Sequence, residues 1–423
     1  MKKILLGITM LPMLALAQTL DDCQQAAEQK YPLIRQYALI EKTTQWTLAN
    51  IQKGWLPQVA AQAQATYQTD VAAWPDQMKA MTAAMGIDIK GLTNDQYRLG
   101  IDVQQTIYDG GAIGSQKAVA REQGKVQAAH NEVNIYAVRK RVNEMYFSLL
   151  LIDEQIKLNG DLQTLLAGSE RKLEAMTRRG TAAQSDLQSV KAERLLAQQK
   201  ATELASQRQM LLRMLSTFCG IEVKEATKPA TPAALPQPQA VRRPELKALD
   251  AQIGLLNAQE RALDAALMPK VGIFAQGFYG YPGLNMFDDM MRHKWSLNAI
   301  VGARLTWNIG ALYTRKNDKA RLQLQRDMTE NSREVFLFNN SLEQIQQDEN
   351  IARYQKLMAC DGEIIALRQA VRKAAESKLA HGIIDVNDLV REINQENAAC
   401  VQQSVHEIEM LKEIYDNKYT TNN

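Results

Sequence analysis

WLPQVAAQAQATY (residues 55–67) and LMPKVGIFAQGFY (residues 267–279) are one segment written twice, 212 positions apart. In the first, Val59, Ala61, Ala63, Ala65 and Tyr67 alternate with Gln62, Gln64 and Thr66. Successive side chains of a strand point to opposite faces, so this segment is a strand with one apolar and one polar face. The second copy keeps Val271, Ile273, Ala275 and Tyr279 on one face, but the other carries Phe274 and Phe278 beside Lys270 and Gln276, so its alternation is poorer. Each copy is followed by a further alternating run. In 96–108, Tyr97, Leu99, Ile101, Val103 and Ile107 oppose Arg98, Asp102, Gln104 and Thr106; in 295–307, Leu297, Ala299, Val301, Ala303 and Leu305 oppose Ser296, Asn298, Arg304 and Thr306. The expected strand pairs are 58–70 with 96–108 and 270–281 with 295–307.

The repetition extends outward. Pro32 falls on Pro244 and Pro57 on Pro269 at the same offset; YDGGAIGSQ (108–116) aligns with WNIGALYTR (307–315), and RGTAAQSDL (179–187) with HGIIDVNDL (381–389). Three matches in one order mark an internal duplication. The copies span 18–223 and 244–418, with 419–423 as a C-terminal tail. The intervening 224–243 holds Pro229, Pro232, Pro236 and Pro238, which forbid a continuous helix and favour an extended linker.

After each strand pair the apolar period changes from two to that of a helix, over 112–218 and 311–418. No proline interrupts 112–178, which as one helix extends about 100 Å at ~1.5 Å per residue. Val142, Met145, Leu149, Ile152 and Ile156 form a coiled-coil seam; after a phase slip at Asn159 it resumes through Leu162, Leu166, Ser169, Leu173 and Met176. Ile364, Leu367, Val371 and Ala374 repeat the spacing in the second copy. Helices this long must pack along partners of similar length. Gly180 and Gly382 end the first helix of each hairpin, and Ser185-Asp186 and Asn387-Asp388 start the second.

The first residues read as an export signal: Lys2 and Lys3, an apolar run over 4–16, and Ala15-Leu16-Ala17 before a cleavage point between Ala17 and Gln18. We therefore expect 1–17 to be removed and the mature chain to work outside the cytoplasm. No later run reaches 18 apolar residues, so no membrane-spanning helix is expected. The formal charge of +3, which falls to +1 without Lys2 and Lys3, argues against a nucleic-acid partner. Four cysteines are too few and too dispersed for a disulfide scaffold; Cys360 with Cys400, and Cys23 with Cys219, are candidate pairs in an oxidising compartment. Gly110-Gly111-x-x-Gly114 fits no phosphate-loop spacing, and neither H-E-x-x-H nor G-x-S-x-G occurs. The sequence thus offers no catalytic constellation, cofactor site or metal site. Met78, Met81 and Met85 suggest a short helix in the long connection between the first two strands, and Arg98 and Arg304 either charge the polar face or, for Arg98, pair with Asp102.

The strands are slightly longer than the 9–11 residues a tilted strand needs to cross a bilayer, and Tyr67, Tyr97, Tyr108, Tyr279, Tyr281, Trp295 and Trp307 sit near their ends. An ordinary half-wet sheet reads the same way. In lipid, however, four strands cannot leave an open edge. Three copies about a rotation axis supply twelve, enough for an aqueous lumen.

This order of strand pair, long helical hairpin, linker and repeat resembles the TolC-like outer membrane efflux family (outer membrane factors) over essentially the whole mature chain. The residues carrying the resemblance are the duplicated L/M-P-x-V strand starts, the aromatic-x-x-G turns at Tyr108 and Trp307, and the G-x5-D-L tips at Gly180 and Gly382. The resemblance implies a mixed α and β membrane protein. Each protomer would supply four transmembrane β-strands and long coiled-coil hairpins to a homotrimer with a 12-stranded β-barrel and a periplasmic α-barrel. It implies a place in the outer membrane of a Gram-negative-type bacterium, embedded in its lipid. The function implied is that of a passive exit channel, not an enzyme, serving a tripartite efflux pump or type I secretion system with a periplasmic adaptor (membrane fusion) protein and an inner-membrane pump. It also implies that acidic tip residues gate the tunnel, here Asp186 and Asp388 with Asp385 nearby, and that Arg179, Gly180, Thr181, His381, Gly382 and Ile383 face the adaptor. Arg391 stands where the family often has a second acid. Read from the residues alone, Asp186 and Asp388 serve equally as helix caps. The alternative function is that of a non-transporting periplasmic coiled-coil scaffold.

Overall fold

The computed structural model describes residues 19–229 and 240–422. The export signal, its Ala17–Gln18 cleavage point and the centre of the proline-rich linker lie outside the described residues. In chain order the elements are α1 (Leu20–Lys30), α2 (Ile34–Gln52), β1 (Gln58–Tyr67), α3 (Asp76–Ala84), β2 (Asp95–Tyr108), α4 (Ala112–Arg178) and α5 (Gln184–Cys219), followed by α6 (Pro244–Ala266), β3 (Lys270–Tyr281), α7 (Met286–Arg292), β4 (Ser296–Thr306), α8 (Ala311–Ala380) and α9 (Val386–Thr421). After α1, the order is thus repeated, with helix, strand, short helix, strand and two long helices starting at α2 and again at α6. No helix among the described residues is long and apolar enough to cross a membrane.

Several expected boundaries move. β1 stops at Tyr67 rather than residue 70, one step before Gln68 donates its N–H to Asn94 O (2.8 Å) at the end of the strand pair. β4 excludes Trp295 and Trp307; the Trp307 indole donates to Leu267 O at 2.9 Å instead. Residues 419–421, expected as tail, are the last turn of α9. Tyr136 Oη donates to Tyr419 O (2.7 Å), Thr420 is fully buried, and Arg242 N donates to Thr421 O (3.0 Å). The apolar and hydrogen-bonding partners of this turn come from distant parts of the chain, which is why local pattern ends the helix too early.

The described residues form two compact units that do not follow the sequence repeats; each draws on both copies. One unit takes in residues up to 38, 129–248 and from 332 onward. Its larger core joins Leu20, Cys23 and Ala27 of α1, Val142, Tyr146, Phe147 and Leu149 of α4, Leu215 and Cys219 of α5, and Ile408 and Leu411 of α9. Fully burying each large side chain contributes about 1.5–3 kcal/mol. Polar pairs fix the helix registers beside this core: Asn143 Nδ2 donates to Asp416 Oδ1 (3.2 Å), Gln347 Nε2 to Thr420 Oγ1 (3.0 Å), and His406 Nδ1 meets Asp361 Oδ2 at 2.8 Å.

The α4 seam is met only in part. Val142, Leu149, Leu166 and Leu173 are buried, whereas Met145, Ile152 and Ile156 are half-buried. In the second copy the same spacing is not covered: Ile364, Leu367 and Val371 of α8 are exposed, Leu367 to 60 %. Among the described residues no helix covers this stripe.

The other unit comprises Leu39–Ala128 and Leu249–Asn331. Leu255, Leu256 and Ala258 of α6, Val126 of α4 and Leu322 of α8 are buried in it. Asp264 of α6 binds Arg315 (2.7 Å) and Lys319 (3.2 Å) of α8, and Glu260 binds Arg326. The hydrogen bond from Arg315 holds the Asp264 carboxyl below the usual carboxylate range, and that from Arg326 does the same for Glu260. This unit also carries the sheet.

Candidate functional site

Among the described residues four strands form one antiparallel sheet in the order β1-β2-β3-β4, with no strand paired to the outer edges of β1 and β4. Register decides what each face presents. Ala63 pairs with Leu99, Leu99 with Tyr279, and Tyr279 with Leu297; Ala61, Ile101, Gly277 and Ala299 make the next row, and Val59, Val103, Ala275 and Val301 the next. One face is therefore apolar from edge to edge, and it is uncovered: Leu297 is 82 % exposed and Val301 80 %. A contiguous uncovered apolar surface of this kind marks a membrane or an interface. At one end of the face Trp295 packs against Tyr97 (5.9 Å between ring centroids) and Tyr279 (5.4 Å).

The opposite face carries Gln62, Gln64, Arg98, Asp102, Gln104, Asn298 and Arg304. The two phenylalanines that spoil the alternation of β3 are accounted for here. Phe278 pairs across with Gly100, and Phe274 with Gly302. A Cβ at Gly302 would lie 2.8 Å from Phe274 Cζ, so the glycine makes room for the ring. Guanidinium groups then cover the rings, Arg98 at 3.7 Å from the Phe278 centroid and Arg304 at 4.9 Å from that of Phe274. Arg98 thus stacks on a ring, and among the described residues no ion pair joins it to Asp102. Cross-strand glycine–aromatic pairing is non-local, so no window of sequence displays it.

The two connections at one end of the sheet pack together through Val71, Trp74, Leu92, Tyr281 and Met290. The expected short helix is α3, but Met78, Met81 and Met85 are exposed rather than packed. At the other end, Asp109 accepts from Gly111 N (2.9 Å) and Ile113 N (2.6 Å) at the start of α4. The N–H groups that a phosphate would need are occupied by this carboxylate, and Gly110 and Gly111 are turn residues with φ of +68° and +85°.

The hairpin tips of both copies have the same geometry. Thr181 N donates to Met176 O (2.9 Å) and Gly180 N to Thr177 O (3.0 Å); Ile383 N donates to Lys378 O (2.9 Å) and Gly382 N to Leu379 O (3.0 Å). Gly180 and Gly382 take φ of +72° and +68°. Both are Schellman motifs, in which a left-handed residue beyond the helix lets two late carbonyls find donors. The tips are brought together by one core of Leu166, Leu173, Leu187, Val190, Leu389, Val390 and Ile393, and by Lys172–Glu376 (3.4 Å). Arg179, Thr181, His381 and Ile383 are exposed on them.

The acids at the tips are not equivalent. Asp385 is the cap of α9, its carboxylate accepting from Asp388 N at 2.8 Å. Asp388 lies three residues into the helix and pairs with Arg391 at 3.0 Å. Asp186 accepts from Ala183 N (3.3 Å), and no cation lies within ion-pair distance of it among the described residues. The cap expected at Asp388 is therefore Asp385, and Asp186 is not the cap of α5 but reaches back from the third position to a cap residue that is Ala183. The Asp385-x-x-Asp388 spacing hid which acid was the cap.

All four cysteines are free thiols. Cys360 is exposed and Cys400 half-buried beside Glu396 and Asp161. Cys23 and Cys219 meet in the core; the hydrogen bond from the Cys23 thiol to Cys219, with burial added, pushes Cys23 far up, and the same bond lowers Cys219 against the opposing effect of burial. Among the described residues no group of three metal-ligating side chains converges.

The sequence matches no protein-family model and no curated protein. Solved structures match over nearly the whole chain. The CmeC outer membrane channel of Campylobacter jejuni is 12% identical, with a TM-score of 0.66 over 95% of this chain and 85% of its own. The outer membrane protein VceC of Vibrio cholerae is 12% identical, with a TM-score of 0.63 over 96% of each chain. The open state of the MtrE outer membrane channel of Neisseria gonorrhoeae is 14% identical, with a TM-score of 0.63 over 96% and 89%. With its duplicated strand pairs, long hairpins and four-stranded two-faced sheet, the chain has the fold of the TolC-like outer-membrane channels.

Proposed function

We propose that the protein is the outer-membrane exit channel of a tripartite efflux pump or type I secretion system, a passive duct rather than an enzyme. The observation that carries this reading is the sheet, apolar and uncovered on one face, polar on the other, and open at both edges. Three copies joined β4 to β1 close the edges, turn the apolar face to lipid and leave the polar face around an aqueous lumen. The exposed α8 stripe at Ile364, Leu367 and Val371 then packs against a neighbouring protomer. In this arrangement the hairpin tips, with Arg179, Gly180, Thr181, His381, Gly382 and Ile383, meet the periplasmic adaptor that links the duct to an inner-membrane pump. Native mass spectrometry from detergent tests the assembly. A mass of three protomers is expected, whereas a monomer that remains in solution without detergent favours the scaffold reading.

The tip carboxylates form the periplasmic constriction in this account, with unequal weight. Arg391 offsets Asp388, so Asp186 dominates the field at the mouth. D186N is expected to weaken block by a trivalent cation several-fold, and D388N to weaken it less. R391Q should strengthen it. Dose–block curves in planar bilayers measure all three, and equal block in D186N and wild type would leave Asp186 a purely structural residue.

Cys23 and Cys219 are placed to become a disulfide in an oxidising periplasm. Exchange with an external disulfide would take two electrons and two protons from the pair and leave that reagent as two thiols. The bond would tie α1 to the end of α5 and contribute about 2–4 kcal/mol. Protein isolated without reductant should show only Cys360 and Cys400 alkylated after denaturation. Alkylation of all four would show the pair reduced.

A further inference from the structure

We infer that the polar face of the sheet is an anion-accepting wall, so that the strand-built section of the duct favours anionic over cationic solutes; this rests on the duct reading above. The four strands carry five charged side chains, Asp95, Arg98, Asp102, Lys270 and Arg304. Register puts Asp95 opposite Tyr67 on the apolar face, at its end, and the other four on the polar face. That face thus holds three cations and one carboxylate. Among the described residues none of these four makes an ion pair, so their charge is not cancelled locally. Three copies would place nine cations and three carboxylates around one lumen.

Two of the three cations are also held in place. Arg98 and Arg304 lie over Phe278 and Phe274, whose rings are seated against Gly100 and Gly302. A guanidinium on an aromatic face keeps its charge while losing much of its freedom to swing away. Lys270 and Arg304, both exposed, border one hollow of about 180 Å³ with Phe274, Gln104 and Thr306. An anion there meets two cations, an amide and a ring face. Wall charges reach solutes within a Debye length, about 10 Å at 0.1 M salt. The duct therefore carries charge of opposite sign in two places: carboxylates at the tips and guanidinium and ammonium groups along the sheet.

The test is the reversal potential in a planar bilayer under a KCl gradient, for wild type, K270Q/R304Q and R304K. Both substituted residues are exposed, and persisting unitary current steps report that each variant assembles. K270Q/R304Q is expected to lower the chloride-to-potassium permeability ratio by about threefold or more, the effect of losing a unit charge some 6 Å from the ion path in water. R304K keeps the charge and should leave the ratio close to wild type. Persisting steps with an unchanged reversal potential in K270Q/R304Q would overturn this inference and leave the duct standing. A wild type without current steps would overturn both.

Discussion

Val301→Arg is expected to abolish or severely reduce assembly of the membrane-inserted protein. Val301 lies mid-strand in β4, opposite Ala275, on the apolar face, and is 80 % exposed in the protomer. In an ordinary half-wet sheet so exposed a side chain tolerates the change to within about 0.5 kcal/mol. If the face meets lipid near the bilayer centre, an arginine costs about 2–4 kcal/mol, incurred once per protomer. Gln62→Arg, on the polar face of β1, should be tolerated. Yield of folded protein in liposomes, with denaturant midpoints for whatever inserts, measures the difference. Equal behaviour of the two variants would contradict a lipid-facing sheet.

Gly110→Ala is the second substitution with a large expected effect. The residue has φ of +68°, and a Cβ there would stand 2.5 Å from Met268 Cβ, in the turn that leads β2 into α4. Backbone strain of about 1–2 kcal/mol adds to an overlap that neither Cβ can relieve by a rotamer change, for a total of about 2–4 kcal/mol. Gly111→Ala separates the two contributions. Its φ is +85°, but nothing lies within 4 Å of the added atom, so only the strain of about 1–2 kcal/mol remains. Chemical denaturation of detergent-purified protein should rank wild type above Gly111→Ala and that above Gly110→Ala. Equal losses would show that the approach of Met268 does not matter.

The strands were legible because a period of two needs only a local window, and the hairpin tips because glycine and acid stand at fixed offsets in both copies. β3 read poorly for a physical reason: Phe274 and Phe278 are matched to Gly302 and Gly100, residues found on other strands. The α8 stripe repeats the spacing of the seam, yet Ile364, Leu367 and Val371 are exposed, so a pattern that predicts burial meets solvent at Leu367. At the tips the sequence offered Asp186 and Asp388 as equals. Only geometry separates them, since Asp385 takes the cap and Arg391 takes the charge of Asp388. The meeting of Cys23 with Cys219 depends on α1 packing beside the end of α5, a contact between segments far apart in the chain.

Single-channel recording tests the central claim most directly. Detergent-purified protein of known oligomeric mass, added to a planar bilayer, is predicted to give discrete current steps from a three-protomer species. Protein that stays monomeric and in solution without detergent, and gives no steps, would contradict the duct and make the sheet an ordinary amphipathic one.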